Sequence, residues 1–313
     1  MRWGPDMSVF LVPDSFDGDR VDAVAARISG YSRSKIESIL ADGGILVDGR
    51  VVSKGSLRVR SGAMLEVIDD LAPAPLNVEP RVAEGLRIIH EDSDIVVVDK
   101  PVGVAAHPSL GWEGPSVVEH LLHVGVPIAT SGAAERQGIV QRLDVGTSGA
   151  MVVAKSEHAY SVLKQAFRDR AVDKTYHALV QGHPDPFQGT IEAPIGRHPG
   201  HDWKMAVVEG GRHALTHYET LEAHRRATLL EVHLETGRTH QIRVHMAAIG
   251  HPCVGDPLYG SDPRLAAALG LERQWLHAVE LGFIHPGTGE PVRFRSQYPQ
   301  DLREALEFVR TDS

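Results

Sequence analysis

The chain has a single cysteine, Cys253, in 313 residues, so neither an intrachain disulfide framework nor a cysteine-cluster zinc site can hold it together. No apolar run approaches the ~20 residues needed to cross a bilayer. The opening MRWGPDMSVFLVPD lacks the basic start and apolar block of a signal peptide. A soluble, cytoplasmic protein is the expectation. Basic charge is also scarce: 32 Lys and Arg stand against 41 Asp and Glu, a formal net charge of −9. Proteins that coat polyanions carry the opposite balance, so that class is excluded. A basic face on an acidic body is not. Residues 66–99 hold nine acidic side chains and two arginines, whereas residues 30–60 carry six basic against three acidic and residues 136–182 seven against four. What remains, 42% hydrophobic and 23% charged, is ordinary globular composition, and the length predicts two domains.

Residues 8–70 read as a small unit. Val21, Val24, Ala25 and Ile28 recur at helical spacing before Gly30. A second helix starts with Ser32 as N-cap, turns Ile36, Ile39 and Leu40 inward and stops at Gly43-Gly44. ILVDGRVV predicts a hairpin about Asp48-Gly49, and MLEVID a further strand. Residues 71–85, rich in proline, predict a linker, and residues 86–313 a second domain. There, IVVVD, AMVVAKS, TYHALVQG and TLLEVHLET read as strands and SEHAYSVLKQAFRDR as a helix capped by Ser156. GVPIATSGAAERQG, residues 125–138, reads as a small, polar, mobile segment. THQIRVHMAAIG returns to helical spacing with Thr239 as cap. The fold class expected is α+β with a mixed, largely antiparallel central sheet flanked by helices. The first six residues fit neither unit, and Met7 is an alternative start.

Three segments carry more polar side chains than a scaffold needs. In QRLDVGTSGAMVVAKS, Arg142 and Asp144 share a side if the chain is extended, just before glycines and small hydroxyls that let a ligand approach the backbone. The Asp144 carboxylate suits a nucleophile or an acid or base, but alone an Asp in this setting is more often a turn or capping residue than a catalyst. In ETGRTHQIRVHMAAIGHP, Arg238, His240, Gln241, Arg243 and His245 crowd a helix start, which suits an anionic partner or simply a solvated helix end. In DKTYHALVQG, Tyr176 alternates with Ala178 and Val180 as a core aromatic would. His213 and His217 are four apart but lack an HExxH context, and no metal site is expected from them. Lys100, in DKPVG, follows no glycine-rich phosphate cradle, which excludes a P-loop.

Together these segments resemble the RluA/RluD family of pseudouridine synthases. The family's HRLDxxTSG motif is matched by Gln141 to Gly149, with Gln141 in place of the usual His, and its later motif by Leu234 to His245. The KTYxAxVxG strand is matched by Lys174 to Gly182, and residues 8–70 resemble the RNA-binding S4 domain. The resemblance implies that the uracil of a uridine in RNA is detached from its sugar, turned and rejoined through carbon, without cofactor or metal. It implies Asp144 as the essential carboxylate, Arg243 as its cationic partner, Tyr176 as the aromatic against the flipped base and Arg142 as the residue that fills the vacated stack. Burial of Asp144 beside uracil would neutralise it, so a cation is expected to keep it ionised. Arg33 and Lys35 of the small domain, with Arg238, His240 and Gln241, are the expected RNA contacts. The expected partner is structured RNA, 23S ribosomal RNA ahead of transfer RNA, bound by a monomer without membrane attachment. The rivals are a noncatalytic RNA-binding protein and a metal-dependent hydrolase built on His213 and His217.

Overall fold

Asp48 and Gly49 take positive φ angles of 51° and 74°, the backbone a two-residue I′ turn requires, and so fold strands β2 (Ile45–Val47) and β3 (Arg50–Val51) onto each other. With β1 (Met7–Leu11) and β4 (Met64–Ile68) they form an antiparallel sheet in the order β1-β4-β2-β3. Helix α1 (Val21–Ser29) ends on left-handed Gly30, and α2 (Arg33–Ala41) follows it. Val21, Val24, Ala25, Ile36 and Ile39 pack with Ile45, Leu65 and Val67 into one core. The helical periodicity and the strand alternation thus point at a common interior.

The structure, a computed structural model, describes residues 7–31, 33–41, 43–68, 80–108, 111–132 and 136–312. The expected cap Ser32, most of the expected linker 71–85 and the six residues before Met7 lie outside them. By contacts the chain divides into two units, residues 1–78 with 130–137, and residues 79–129 with 138–313. Among the described residues no helix is long and apolar enough to cross a membrane.

The larger unit is built on nine strands: β5 (Arg87–Glu91), β6 (Ile95–Lys100), β7 (Ser148–Ala154), β8 (Asp173–Gln181), β9 (Gln188–Glu192), β12 (Leu215–Ala223), β13 (Ala227–Leu234), β14 (Leu276–Ile284) and β15 (Pro291–Arg295). Their order is β5-β6-β7-β14-β8-β13-β12-β9, with β15 also on β14. Strands β10 (Ile195–His198) and β11 (His201–Val207) form a separate hairpin. Among the described residues only strands β7 and β14 of this sheet pair in parallel, so it is mixed and largely antiparallel. That parallel contact spans Ser148 and Gly149 opposite His277 and Ala278. Gly149 has φ +125°, and a Cβ there would lie 2.3 Å from the Ala278 carbonyl oxygen, so the glycine of the TSG motif is what lets the two strands meet.

Helices α3 (Val117–His123), α4 (Glu157–Arg168), α5 (Gln241–Ala248), α6 (Pro263–Ala268) and α7 (Gln300–Thr311) accompany this sheet. Ser156 caps α4 by accepting from Ala159 N, and Ala159 and Leu163 are buried, as the apolar stripe predicts. Two local expectations fail. The first part of the segment read as small, polar and mobile is packed down: Val126 and Ala129 are buried, and Ala129 N donates to Ala154 O at the end of β7. Thr239 does not cap α5. His240 precedes that helix in a left-handed conformation, φ 56°, which frees the Thr239 hydroxyl to accept from Arg142. Gln241 replaces the cap from within the first turn, its Oε1 accepting from Arg238 N at 2.9 Å and from Thr236 Oγ1 at 2.8 Å.

Candidate active site

Arg142 is exposed, Leu143 buried and Asp144 partly exposed, the alternation of an extended segment. A turn follows, closed by Thr147 N donating to Asp144 O at 2.9 Å. The chain leading into β14 clamps this turn from behind. Arg273 Nη1 donates to Gly146 O at 3.2 Å, Gln274 Nε2 to Thr147 Oγ1 at 3.1 Å, and His277 Nδ1 lies 2.8 Å from Ser148 Oγ. Arg273 is itself held by both oxygens of Asp301 on α7. His277 continues through Ser296 Oγ at 3.0 Å to Asp99 Oδ1, and Arg87 pairs with the other Asp99 oxygen. An ionised carboxylate only accepts, so Ser296 donates to Asp99, His277 Nε2–H donates to Ser296, and Nδ1 accepts from Ser148. Burial pushes the His277 imidazole down to about 4, in keeping with the neutral ring this chain demands.

Asp144 meets the helix-start cluster across the turn. Arg243, 4% exposed, sends Nη1 to Asp144 Oδ2 at 3.5 Å. Its Nε and Nη2 are taken by Asp256, at 2.7 and 2.9 Å. Burial opposes the guanidinium charge, but Asp256 first and Asp144 after it outweigh that and raise its pKa above the ordinary arginine value. The Tyr259 ring lies 5.0 Å from the guanidinium carbon. His240 Nε2 is 3.9 Å from Asp144 Oδ2, and its Nδ1 is 2.8 Å from the Tyr259 hydroxyl. Lys100 is fully buried, donates to Pro101 O and Val104 O, and is pushed down to about 7 by burial, with Asp144 pulling the other way. Asp144, Arg243 and His240 open on a pocket of about 560 Å³, also lined by Arg142, Gln274 and His107 among others. That is room for a nucleotide base and sugar.

Of the residues singled out above, Asp144, Arg142, Arg243 and His240 therefore converge. Tyr176 is buried on β8 and does not line the pocket; burial first, then the Asp144 charge, raises its phenol. Gln241 is 3% exposed and serves α5, which leaves no surface for RNA. Arg238 stands outside the pocket, its Nε donating to His213 O. Arg33 and Lys35 are exposed on α2 in the other unit. Gln141 Nε2 is buried without a hydrogen-bond partner among the described residues. Sequence reasoning missed Asp256, Tyr259, Arg273 and His277. GDPLYG, residues 255–260, has the composition of a turn, and nothing in its spacing announces a second carboxylate for Arg243.

No pair of metal ligands forms at His213 and His217, which bond separately to Glu192 and Glu235. His90, Asp92 and His285 do cluster. Yet His285 Nδ1 accepts from Gly287 N and Thr288 N, both at 3.1 Å, which fixes the proton on Nε2 facing Asp92 at 2.9 Å. Metal binding at Nε2 would move that proton to Nδ1, against two N–H groups. Added Zn²⁺ should accordingly leave the melting temperature unchanged; a rise with metal concentration would show that the cluster binds it.

Residues 94–248 match the family model described as RNA pseudouridylate synthase, and residues 19–65 match the S4 domain. An RNA pseudouridine synthase of Mycobacterium bovis is 58% identical, over 96% of this chain and 97% of its own length. This chain belongs to the RNA pseudouridine synthase family. It is an isomerase of the RluA/RluD type. "Ribosomal large subunit pseudouridine synthase D" of Escherichia coli K12 is 39% identical over 94% of this chain and 92% of its own. Among solved structures, "Human RNA Pseudouridylate Synthase Domain Containing 1" shares 27% identity at a TM-score of 0.57, covering 74% of this chain and 98% of that one. The S4 match places an RNA-binding module ahead of the synthase domain, and RNA is the substrate class.

Proposed function

We propose that this pseudouridine synthase isomerises specific uridines in 23S ribosomal RNA, as a cytoplasmic monomer. Residues 8–70 are its RNA-binding domain, 71–85 its linker and 86–313 its catalytic domain. The observation that carries the chemistry is the Asp144 carboxylate in the pocket with Arg243 Nη1 3.5 Å from one oxygen. No described residue hydrogen-bonds to the other oxygen, Oδ1, which is the atom available to attack the nucleoside or to offset charge at the anomeric carbon. Flipping a uridine costs a few kcal/mol, and exposed Arg142 at the pocket edge fills the gap it leaves. The ribosomal target is supported by the relatives named for the large subunit, whose similarity spans the small unit as well as the synthase domain.

Tritium release from C5-labelled 23S ribosomal RNA tests this reading, with transfer RNA alongside. Release from transfer RNA alone would reassign the substrate. Arg33→Ala with Lys35→Ala should weaken RNA binding and make the log–log salt dependence shallower by about two, one unit for each lost phosphate contact. An unchanged salt slope would remove α2 from the RNA interface.

A further inference from the structure

Turning uridine into pseudouridine breaks the C1′–N1 bond and makes a C1′–C5 bond. C5 then releases a proton and N1 gains one; no electrons are exchanged and no co-reactant is needed. A site for this reaction needs a group, besides the carboxylate already engaged at the nucleoside, that can hold one proton in between and has a lone pair beside the base. Most of the polar side chains in and around the pocket fail that test. Arg142 and Arg243 have no basic lone pair to offer, and Lys100 does not line the pocket, its Nζ being turned to the carbonyl oxygens of Pro101 and Val104. Burial and Asp144 raise the Tyr176 phenol, which keeps it protonated.

We propose that His240 is the proton carrier of the isomerisation, its Nε2 taking the proton from C5 and returning it to N1. The inference rests on the uridine isomerisation assigned above. Four observations support it. The imidazole lines the pocket with Nε2 3.9 Å from Asp144 Oδ2, so the imidazolium formed in mid-reaction sits beside a carboxylate. Its Nδ1 lies 2.8 Å from the Tyr259 hydroxyl, which can accept an Nδ1–H and so leave the Nε2 lone pair open; the hydroxyl is fixed in turn by Met205 N at 3.1 Å. Burial first, and then the Arg243 and Arg142 charges, hold the imidazole below its ordinary pKa against the pull of Asp144 and Asp256, so the ring rests neutral at pH 7. Finally, His240 occupies the left-handed region at φ 56°, which an L residue seldom adopts, as the residue immediately before α5. His240 therefore does more than line an RNA surface.

The test uses the full-length protein under single-turnover conditions with 23S transcripts carrying uridine, 5-deuterouridine or 5-fluorouridine. With His240→Gln, pseudouridine formation should slow by about 10²-fold or more, and a primary deuterium isotope effect should appear because C5 deprotonation has become limiting. On the 5-fluorouridine transcript, where C1′–N1 breaks and C1′–C5 forms but C5 keeps its fluorine and has no proton to lose, the same variant should lose far less of its rate of C1′–C5 bond formation. Equal losses on all three transcripts without an isotope effect would overturn the proposal, as would an isotope effect arising in His107→Gln, the other imidazole of the pocket, and not in His240→Gln. If His240→Gln does not fold, Tyr259→Phe, which removes the Nδ1 partner, should show the isotope effect in weaker form; its absence there overturns the proposal. Wild-type protein that converts none of the transcripts would count against the assigned isomerisation itself.

Discussion

Asp144→Ala should reduce pseudouridine formation by at least about 10⁴-fold, the scale seen when an attacking or charge-offsetting carboxylate is removed, while the melting temperature moves by no more than about 2 °C. The two halves of this expectation have separate causes. The Asp144 side chain is 23% exposed, and its side-chain partners are Arg243 at 3.5 Å and His240 at 3.9 Å. Both keep other bonds when it is gone: Arg243 retains two to Asp256 and His240 one to Tyr259. Arg243 Nη1 alone loses its partner, across a long 3.5 Å contact at the pocket, so the fold has little to lose. Asp144→Asn should behave the same way, because the amide keeps the shape and removes the charge. Tritium release and a thermal melt on the same sample decide it. Turnover that survives in either variant would show that the chemistry does not run through this carboxylate, and a collapsed melting temperature would make the residue structural.

Asp256→Asn should produce the opposite pattern, lost stability together with lost activity. The Asp256 side chain is fully buried; Oδ1 accepts from Arg243 Nη2 and Leu258 N, and Oδ2 from Arg243 Nε. An amide in its place turns two donors toward a guanidinium that is itself 4% exposed. Breaking a buried pair from one side costs about 3–5 kcal/mol, which for a unit of this size is roughly 10 °C in melting temperature. Catalysis suffers for a related reason. Arg243 serves two carboxylates at once, and with Asp256 neutralised it is free to leave the geometry in which Nη1 faces Asp144. Arg243→Lys would not substitute, since a point-like ammonium cannot present a fork to Asp256 and a third donor to Asp144. Calorimetry and single-turnover rates test both parts. An unchanged melting temperature would mean that the buried pair is not what holds Arg243.

Much of this site was legible before any coordinates. The Arg142–Leu143–Asp144 alternation and the cluster around Arg243 lie in short, locally determined segments, and the structure brings them within hydrogen-bonding distance of each other. Helix α4 and the Asp48-Gly49 hairpin were equally readable, because an apolar stripe at helical spacing and a two-residue turn with positive φ depend on nearest neighbours alone. Where local reasoning failed, a distant partner had intervened. Thr239 looks like a cap by composition, but its hydroxyl is claimed by Arg142, 97 residues earlier in the chain. Gln241 looks like an RNA contact on an exposed helix start, but it is folded inward to Thr236, Leu215 and Thr216.

The sequence by itself determined the class of chain, most of its elements and the carboxylate to look for: one cysteine, no membrane-length run, an acidic total with basic segments, and motifs whose order resembles one family. Only the tertiary structure decided how that carboxylate is served. Asp256 is 13 residues from Arg243, Arg273 is 127 from Gly146, and His277 is 129 from Ser148, and each contact exists because β14 lies in parallel register beside β7 and the GDPLYG turn folds under α5. Such pairings have no periodicity to read. They are fixed by which strands share a sheet and by the need of every buried charge and hydroxyl there to find a partner.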